Sequence, residues 1–469
     1  MPDFPLMSRS DAQALAKRVL SFSTADEARV NIESGWRGNT RFAGNEITTG
    51  GGMTDTTVTV TSTFGKRSAS AETNVLDDAS LKRTVELSER LARLSPEDPE
   101  YVPALGAQTY TDVNAYAART ADLTPEARAL AVQRVMEGVR AAAGGGPIAG
   151  SAPAAPADDL FVAGFLEANA GVAQAVATSK GLFAYHPGTT VDLSVTARTP
   201  DGTGSGYASS GTPDWGTVDP VALGRRAAEK AIASRNPVAI EPGQYTVVLE
   251  PRAVADVLPL LMGSFNARTT DEGRSPFSTK GGGTKLGQKI ADERVRLYSD
   301  PADPDLLAQP FDREGLPIRR RDWIENGVLK NLAYSRFWAQ TKGVEPTGAP
   351  GGRGFGGPPP GGLKLAGGTK SIDELVAGVP RGILVTRFWY IRFLDQRTVM
   401  LTGLTRDGTF LIDNGKVSRS IKNLRWNESP LFMLSKIDEL GRAERVEAGL
   451  VVPALRVRDW NFTSLSDAV

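Results

Sequence analysis

Apolar residues recur at helical spacing over residues 10–21, where Leu15, Val19 and Leu20 fall on one side behind a capping Ser10. Residues 27–33 switch to strict alternation, with Ala28, Val30 and Ile32 on one face, and predict a strand. Strands are also expected over residues 42–47 and 56–63, with Gly50, Gly51 and Gly52 as a break between them and Gly65, Lys66 and Arg67 as a turn. Residues 77–94 return to a helical pattern through Leu81, Val85, Leu91 and Leu94, and Pro96, Pro99 and Pro103 end that unit.

Thr124 and Pro125 have the chemistry of a cap and first helical residue, opening a helix to about residue 143. The Ala/Pro-rich stretch 150–157 reads as a loop without chemistry. Short strands are expected at 161–164, 172–179, 182–185 and 190–197, then a Gly/Ser-rich turn at 203–211. Asp219 and Pro220 open another helix that runs to Ser234. Beyond Asn236 the pattern becomes mainly β, with a helix over 252–263 that Pro259 should kink. Glu325-Asn326-Gly327 and Asp413-Asn414-Gly415 mark two hairpins. Residues 346–368, dominated by Gly and Pro, read as a mobile loop. The expected fold is α+β: an N-terminal α/β domain (1–105), a middle domain (106–236) and a large, mainly antiparallel β C-terminal domain (237–469).

Composition then narrows the chemistry. With 54 basic and 54 acidic residues, the formal charge is zero, which argues against a nucleic-acid or anionic-membrane surface. The Arg319-Arg320-Arg321 run reads as a solvated strand edge. No apolar run is long enough to span a membrane, and residues 1–25 lack the apolar centre of a signal peptide, so the expectation is a cytoplasmic protein. The absence of cysteine removes disulfides, thiolate ligands and cysteine nucleophiles. The single histidine, His186, cannot assemble a common zinc ligand set without cysteine or further histidines. Followed by Pro187 and Gly188, it reads as a hairpin-tip residue rather than a lone base.

Other candidates are balanced between function and structure. Arg252 and Asp256, four apart, can anchor a substrate end or form a surface pair worth a few tenths of a kcal/mol, and the sequence favours the pair. Asp312 and Glu314 resemble an acid pair but fit a turn better. Trp389, Tyr390 and Phe393 suit the floor of a peptide groove as well as they suit core packing. Catalytic residues are not assigned, because no nucleophile–base pair supports a self-sufficient hydrolase.

A series of short motifs in order carries a resemblance: Arg41-Phe42-Ala43, Asp78-Ala79-Ser80-Leu81, Glu241-Pro242-Gly243, Gly273-Arg274-Ser275, Leu286-Gly287-Gln288-Lys289-Ile290, Phe311-Asp312-Arg313-Glu314-Gly315-Leu316-Pro317 and Ile324-Glu325-Asn326-Gly327-Val328-Leu329-Lys330. Over nearly the whole chain it resembles the TldD/PmbA family, and within it the metal-free TldE/PmbA-type subunit. The resemblance implies that a TldD-type subunit carries His-Glu-x-x-x-His on the helix after the strand opening the C-terminal domain. After the matching lead-in Val247-Val248-Leu249, Pro251 and Val257-Leu258, that motif falls here on Pro259, Leu260 and Ser264. Pro and Leu offer no metal-donor atom and no base. The resemblance further implies a heterodimer in which the TldD-type partner binds zinc. This chain, with no cofactor of its own, completes the cavity in which small or unfolded peptides are cleaved or trimmed. The alternative is a stand-alone regulatory or scaffold protein acting, for example, on a topoisomerase. The chain departs from the family at Thr402-Gly403-Leu404-Thr405-Arg406, where many TldE-type subunits have a Thr-Gly-Asp-Phe-Ser-like run.

Overall fold

The computed structural model describes residues 6–142, 159–348, 359 and 361–466. The N-terminal helices are α1 (Arg9–Ser21), α2 (Asp78–Leu94), the short α3 (Ala118–Ala121), α4 (Pro125–Ala141) and α5 (Pro220–Ala233). Caps predicted by sequence hold at two of them, where the side chains of Thr124 and Asp219 accept from Ala127 and Ala222 N–H; α2 is capped by Asp77, which accepts from Ser80 N–H. At α1 the cap is Ser8 and not Ser10. Ser8 and Asp11 form a reciprocal capping box, which satisfies two exposed backbone donors.

The helices cover one face of a six-stranded antiparallel sheet. Its strands are β1 (Glu27–Ala43), β2 (Glu46–Phe64), β3 (Arg67–Thr73), β4 (Phe161–Thr178), β5 (Phe183–Arg198) and β6 (Ser205–Thr212), in the order β3-β2-β1-β4-β5-β6. The segments read as an N-terminal and a middle domain therefore contribute to one sheet, joined where β1 pairs with β4 from Arg29↔Thr178 to Phe42↔Gly164. Alternate residues of β1, including Val30, Ile32, Trp36 and Phe42, enter the helix-covered cores. The opposite face, carrying Asn31, Glu33, Gly35 and Arg37, turns toward the C-terminal domain.

Two glycine-rich stretches behave differently from the sequence expectation. Gly50, Gly51 and Gly52 do not interrupt a strand; they pair with Thr40, Asn39 and Gly38 inside β2. A continuous partner strand supplies the ladder that overrides weak local propensity. Residues 203–211 are not a turn but contain most of β6. Its small residues allow α5 to lie close: a Cβ on Gly206 would stand 2.1 Å from the Ala227 carbonyl oxygen. The short strands expected over 161–197 merge into β4 and β5. The 150–157 segment lies outside the described residues.

The C-terminal domain is built from β7 (Gln244–Leu249), β8 (Leu297–Ser299), β9 (Arg321–Glu325), β10 (Val328–Leu329), β11 (Leu363–Leu365), β12 (Arg381–Asp395), β13 (Met400–Asp413), β14 (Lys416–Ser420), β15 (Leu424–Glu428), β16 (Ile437–Glu447) and β17 (Leu450–Leu465). Pairing runs β17-β15-β13-β12-β7, and β7 returns to β17, so these five strands close a small barrel. Trp426, Trp460 and Phe388 fill it, with ring centroids 4.7–5.3 Å apart. A wing, β10-β9-β8-β11, extends from β17. Both predicted Asn-Gly turns are present, with positive φ at Asn326 and Gly327 (50° and 74°) and at Asn414 and Gly415 (49° and 73°). The helix expected over 252–263 divides: α6 (Pro251–Val257) gives way to a 3-10 segment, Leu258–Phe265, because Pro259 cannot donate the hydrogen bond that would continue it. Residues 349–358 and 360 of the predicted 346–368 loop lie outside the described residues, and Leu363–Leu365 within it forms β11. The fold is α+β, and no described helix is long and apolar enough to cross a membrane.

Candidate functional site, an interdomain cleft

The segment onto which the resemblance places a zinc motif starts where β7 ends. Pro251 opens α6 and the 3-10 segment follows, with Pro259 buried and Leu260 and Ser264 partly buried. The Ser264 carbonyl accepts from Ser275 Oγ at 2.7 Å. Proline and leucine carry no lone pair for a metal, so this donor set does not fit zinc. Among the described residues, no group of three His, Cys, Asp or Glu side chains is placed to hold an ion.

Two residues beyond Ser264, Asn266 reaches a cleft of about 1020 Å³ between the sheet and the C-terminal domain. Its floor is the uncovered sheet face: Glu33, Gly35 and Arg37 of β1, Asp55 of β2, Asn169 and Gln174 of β4, and His186 and Thr190 of β5. Its wall comes from the C-terminal domain: a loop with Gln309, Asp312, Arg313 and Glu314, and Arg336 at the start of the helix Arg336–Lys342.

The wall is pinned to the floor by directed bonds. Gln174 Nε2 donates to the Asp312 carbonyl at 2.8 Å, and Asn31 Nδ2 donates to the Arg313 carbonyl at 2.9 Å. Arg313 pairs with Glu33 at 2.9 Å across the same junction, and within the wall Arg336 pairs with Glu314 at 2.8 Å. The Asp312 carboxylate accepts from the N–H groups of Glu314 (2.8 Å) and Leu316 (2.9 Å), so Asp312 and Glu314 belong to a turn. Burial holds the Asp312 carboxyl above the usual carboxylate range.

His186 is not at a hairpin tip. It sits within β5 opposite Gln174, is 4% exposed, and meets the edge of Phe311 at 6.5 Å between ring centroids. Burial lowers its pKa to about 4, so the ring is neutral near pH 7. The Pro187-Gly188 sequence suggested a turn, but the long β4–β5 ladder carries both residues as extended backbone.

Arg252 and Asp256 do pair, through Nε at 3.0 Å and Nη2 at 2.6 Å, but they are not a surface pair. Asp256 is enclosed and also accepts from the Phe388 N–H at 2.9 Å, while Arg252 reaches Glu447 at 2.9 Å. Burial pushes the Asp256 carboxyl upward, against the pull of Arg252 and the Phe388 N–H. The pair thus ties α6 to β12 immediately before Trp389 and Tyr390, which are 45% and 59% exposed. Phe393 instead packs against the barrel core. None of Arg252, Asp256, Trp389, Tyr390 and Phe393 lines the cleft.

Sequence reasoning missed the cleft residues themselves, which come from distant segments, and a buried cluster in which Glu250 accepts from Lys230 at 2.6 Å and Arg226 at 3.0 Å. The spacing of Arg226 and Lys230 on one helical face was the available signal; the acid that meets them was not.

Residues 242–464 match the family model of the PmbA/TldA metallopeptidase C-terminal domain, and residues 148–235 match that of the central domain. The chain belongs to the PmbA/TldD family. It is 27% identical to a metalloprotease of Methanothermobacter thermautotrophicus, over 48% of this chain and 49% of that protein. It is 25% identical to a TldD homologue of Buchnera aphidicola, described as a metalloprotease, over 49% of this chain and 45% of that one. The chain therefore spans about half the length of these curated relatives. Whole-chain likeness is seen in folds. TldE from Thermococcus kodakarensis superposes with a TM-score of 0.82 at 18% identity, covering 97% of this chain and 100% of that one. A Thermotoga maritima protein whose description names modulation of a DNA gyrase superposes at 0.80 and 21% identity, covering 96% and 100%. At these identities the likeness speaks for the fold alone.

Proposed function

We propose that this chain is the non-catalytic, TldE-type subunit of a two-subunit zinc peptidase. It completes the substrate cavity for a TldD-type partner that supplies the zinc and the bond cleavage, and the substrates are small or unfolded peptides. The observation that carries this reading is the coincidence of a family zinc-motif position filled by Pro259, Leu260 and Ser264 with an intact cleft alongside it. The cleft offers mixed charge and neutral hydrogen-bonding groups, including Asn169, Gln174, Gln309 and Asn266, which suit an extended peptide of varied sequence.

The test is co-expression of this chain with the TldD-type protein of the same genome, purification by a tag on this chain, and measurement of bound zinc and of cleavage of an unstructured peptide. The expected result is stoichiometric zinc and cleavage in the pair and neither in the isolated chain. Zinc binding or cleavage by the isolated chain would overturn the assignment. Partner-independent binding to a topoisomerase without peptidase activity would favour the regulatory alternative.

A further inference from the structure

Outside the cleft, the feature that the fold leaves unexplained is the hairpin of β12 and β13. β7 pairs with β12 only over Gly382–Val385, so beyond that point one edge of β12 has no ladder partner among the described residues. Such an edge is a template for a further strand. Along it stand Trp389, Tyr390 and Leu394, which are among the most exposed large apolar side chains of the molecule. A free surface would favour polar residues here.

The side chains are also ordered in advance. Arg406 lies over the Trp389 ring at 4.8 Å, Arg392 over Tyr390 at 4.5 Å, and Arg387 between Tyr207 (4.0 Å) and Trp389 (5.1 Å). The base of the edge is fixed by Asp256, which holds the Phe388 N–H. Tyr390 and Val399 adopt left-handed backbone, φ 52° and 53°, a conformation that is unfavourable for such residues and persists where the surroundings impose it.

Charge on this face is one-sided. Arg387 and Arg406 pair inward with the buried Asp407, at 3.5 and 3.8 Å, whereas Arg392 and Arg397 are exposed. The exposed carboxylate beside them, Asp395, is engaged by its own turn, accepting from the Arg397 N–H (2.9 Å) and the Thr398 hydroxyl (2.7 Å). Aromatic rings interleaved with guanidinium groups are the composition of interface centres, and their electrostatic complement is acidic.

We propose that the β12–β13 hairpin is the surface by which this chain grips its TldD-type partner, and that the partner presents to it an extended segment bearing carboxylates. This rests on the subunit reading above. The partner segment adds to the open edge of β12, its apolar residues cover Trp389 and Tyr390, and its carboxylates meet the stacked arginines.

The test uses full-length chains: wild type, Trp389→Ala/Tyr390→Ala and Arg392→Glu, each titrated with the purified TldD-type protein of the same genome by sedimentation or calorimetry. The double variant is expected to weaken association at least about tenfold. Arg392→Glu should weaken it and flatten its dependence on salt between about 0.05 M and about 0.5 M. Thermal unfolding of each variant alone, unchanged from wild type, separates lost docking from lost folding. If wild type binds and both variants bind equally tightly, the hairpin proposal is overturned while the subunit reading stands. If wild type does not bind, both fail. If the isolated wild type is a dimer that Trp389→Ala/Tyr390→Ala dissociates, the face belongs to self-association and the proposal is overturned.

Discussion

The one histidine of this chain is a buried, neutral group in the middle of a strand, and that environment has a measurable consequence. In the unfolded chain His186 titrates near its ordinary value of 6.5; in the folded chain burial lowers this to about 4. Between those values the unfolded state takes up a proton that the folded state refuses, so stability falls as pH drops from about 6.5 to about 4. The full difference corresponds to roughly 3 kcal/mol. His186→Gln should therefore unfold with a shallower pH dependence, by roughly that amount, when urea midpoints are compared at about pH 7 and about pH 4. Identical slopes would sink the assignment of this shift to His186. The same residue shows what a local pattern conceals: His-Pro-Gly reads as a turn, but the register with β4 keeps it extended.

Among the elements, those with local causes were legible. The caps at Thr124 and Asp219 and the two Asn-Gly hairpins depend on residues within a few positions of one another, so sequence suffices. The hairpin glycines are not equivalent, however. Gly327 has φ 74°, and a Cβ there would stand 2.4 Å from the Ala291 carbonyl oxygen; Gly44 has φ 60° with nothing within 4 Å. Gly44→Ala should cost about 1 kcal/mol, from backbone conformation alone, and Gly327→Ala distinctly more. Chemical denaturation of the two variants checks the order, and equal losses would mean that the Ala291–Asp292 backbone yields freely. The glycine runs at 50–52 and within β6 were misread because their meaning lies in a partner strand and in the approach of α5, neither of which is local.

At the level of the molecule, the seam between the two halves is electrostatic as well as apolar. Glu250, just beyond β7, is enclosed with Lys230 of α5 and also accepts from the more exposed Arg226, so it is the counter-charge of a largely buried ammonium. Removing one partner of such a set is strongly unfavourable, typically about 3–5 kcal/mol. Glu250→Ala should lower the thermal midpoint markedly and loosen the α5 seam, read as faster amide exchange in α5 and β7. A loss within about 0.5 kcal/mol, the range of ordinary surface substitutions, would show that the seam does not depend on this cluster.

The sequence by itself determined the secondary-structure class, the caps at Thr124 and Asp219, the tight turns, the donor-free side chains of Pro259 and Leu260, and the family motifs, because each of these is written in residue identity or in neighbours a few positions apart. Only the tertiary structure decided the single sheet shared by the first two segments, the closed barrel, the cleft, and the enclosure of Arg252 with Asp256 and of Glu250 with Lys230. Those features join residues far apart in the chain. Whether a charged side chain is solvated or enclosed depends on what packs over it, and no local pattern carries that information.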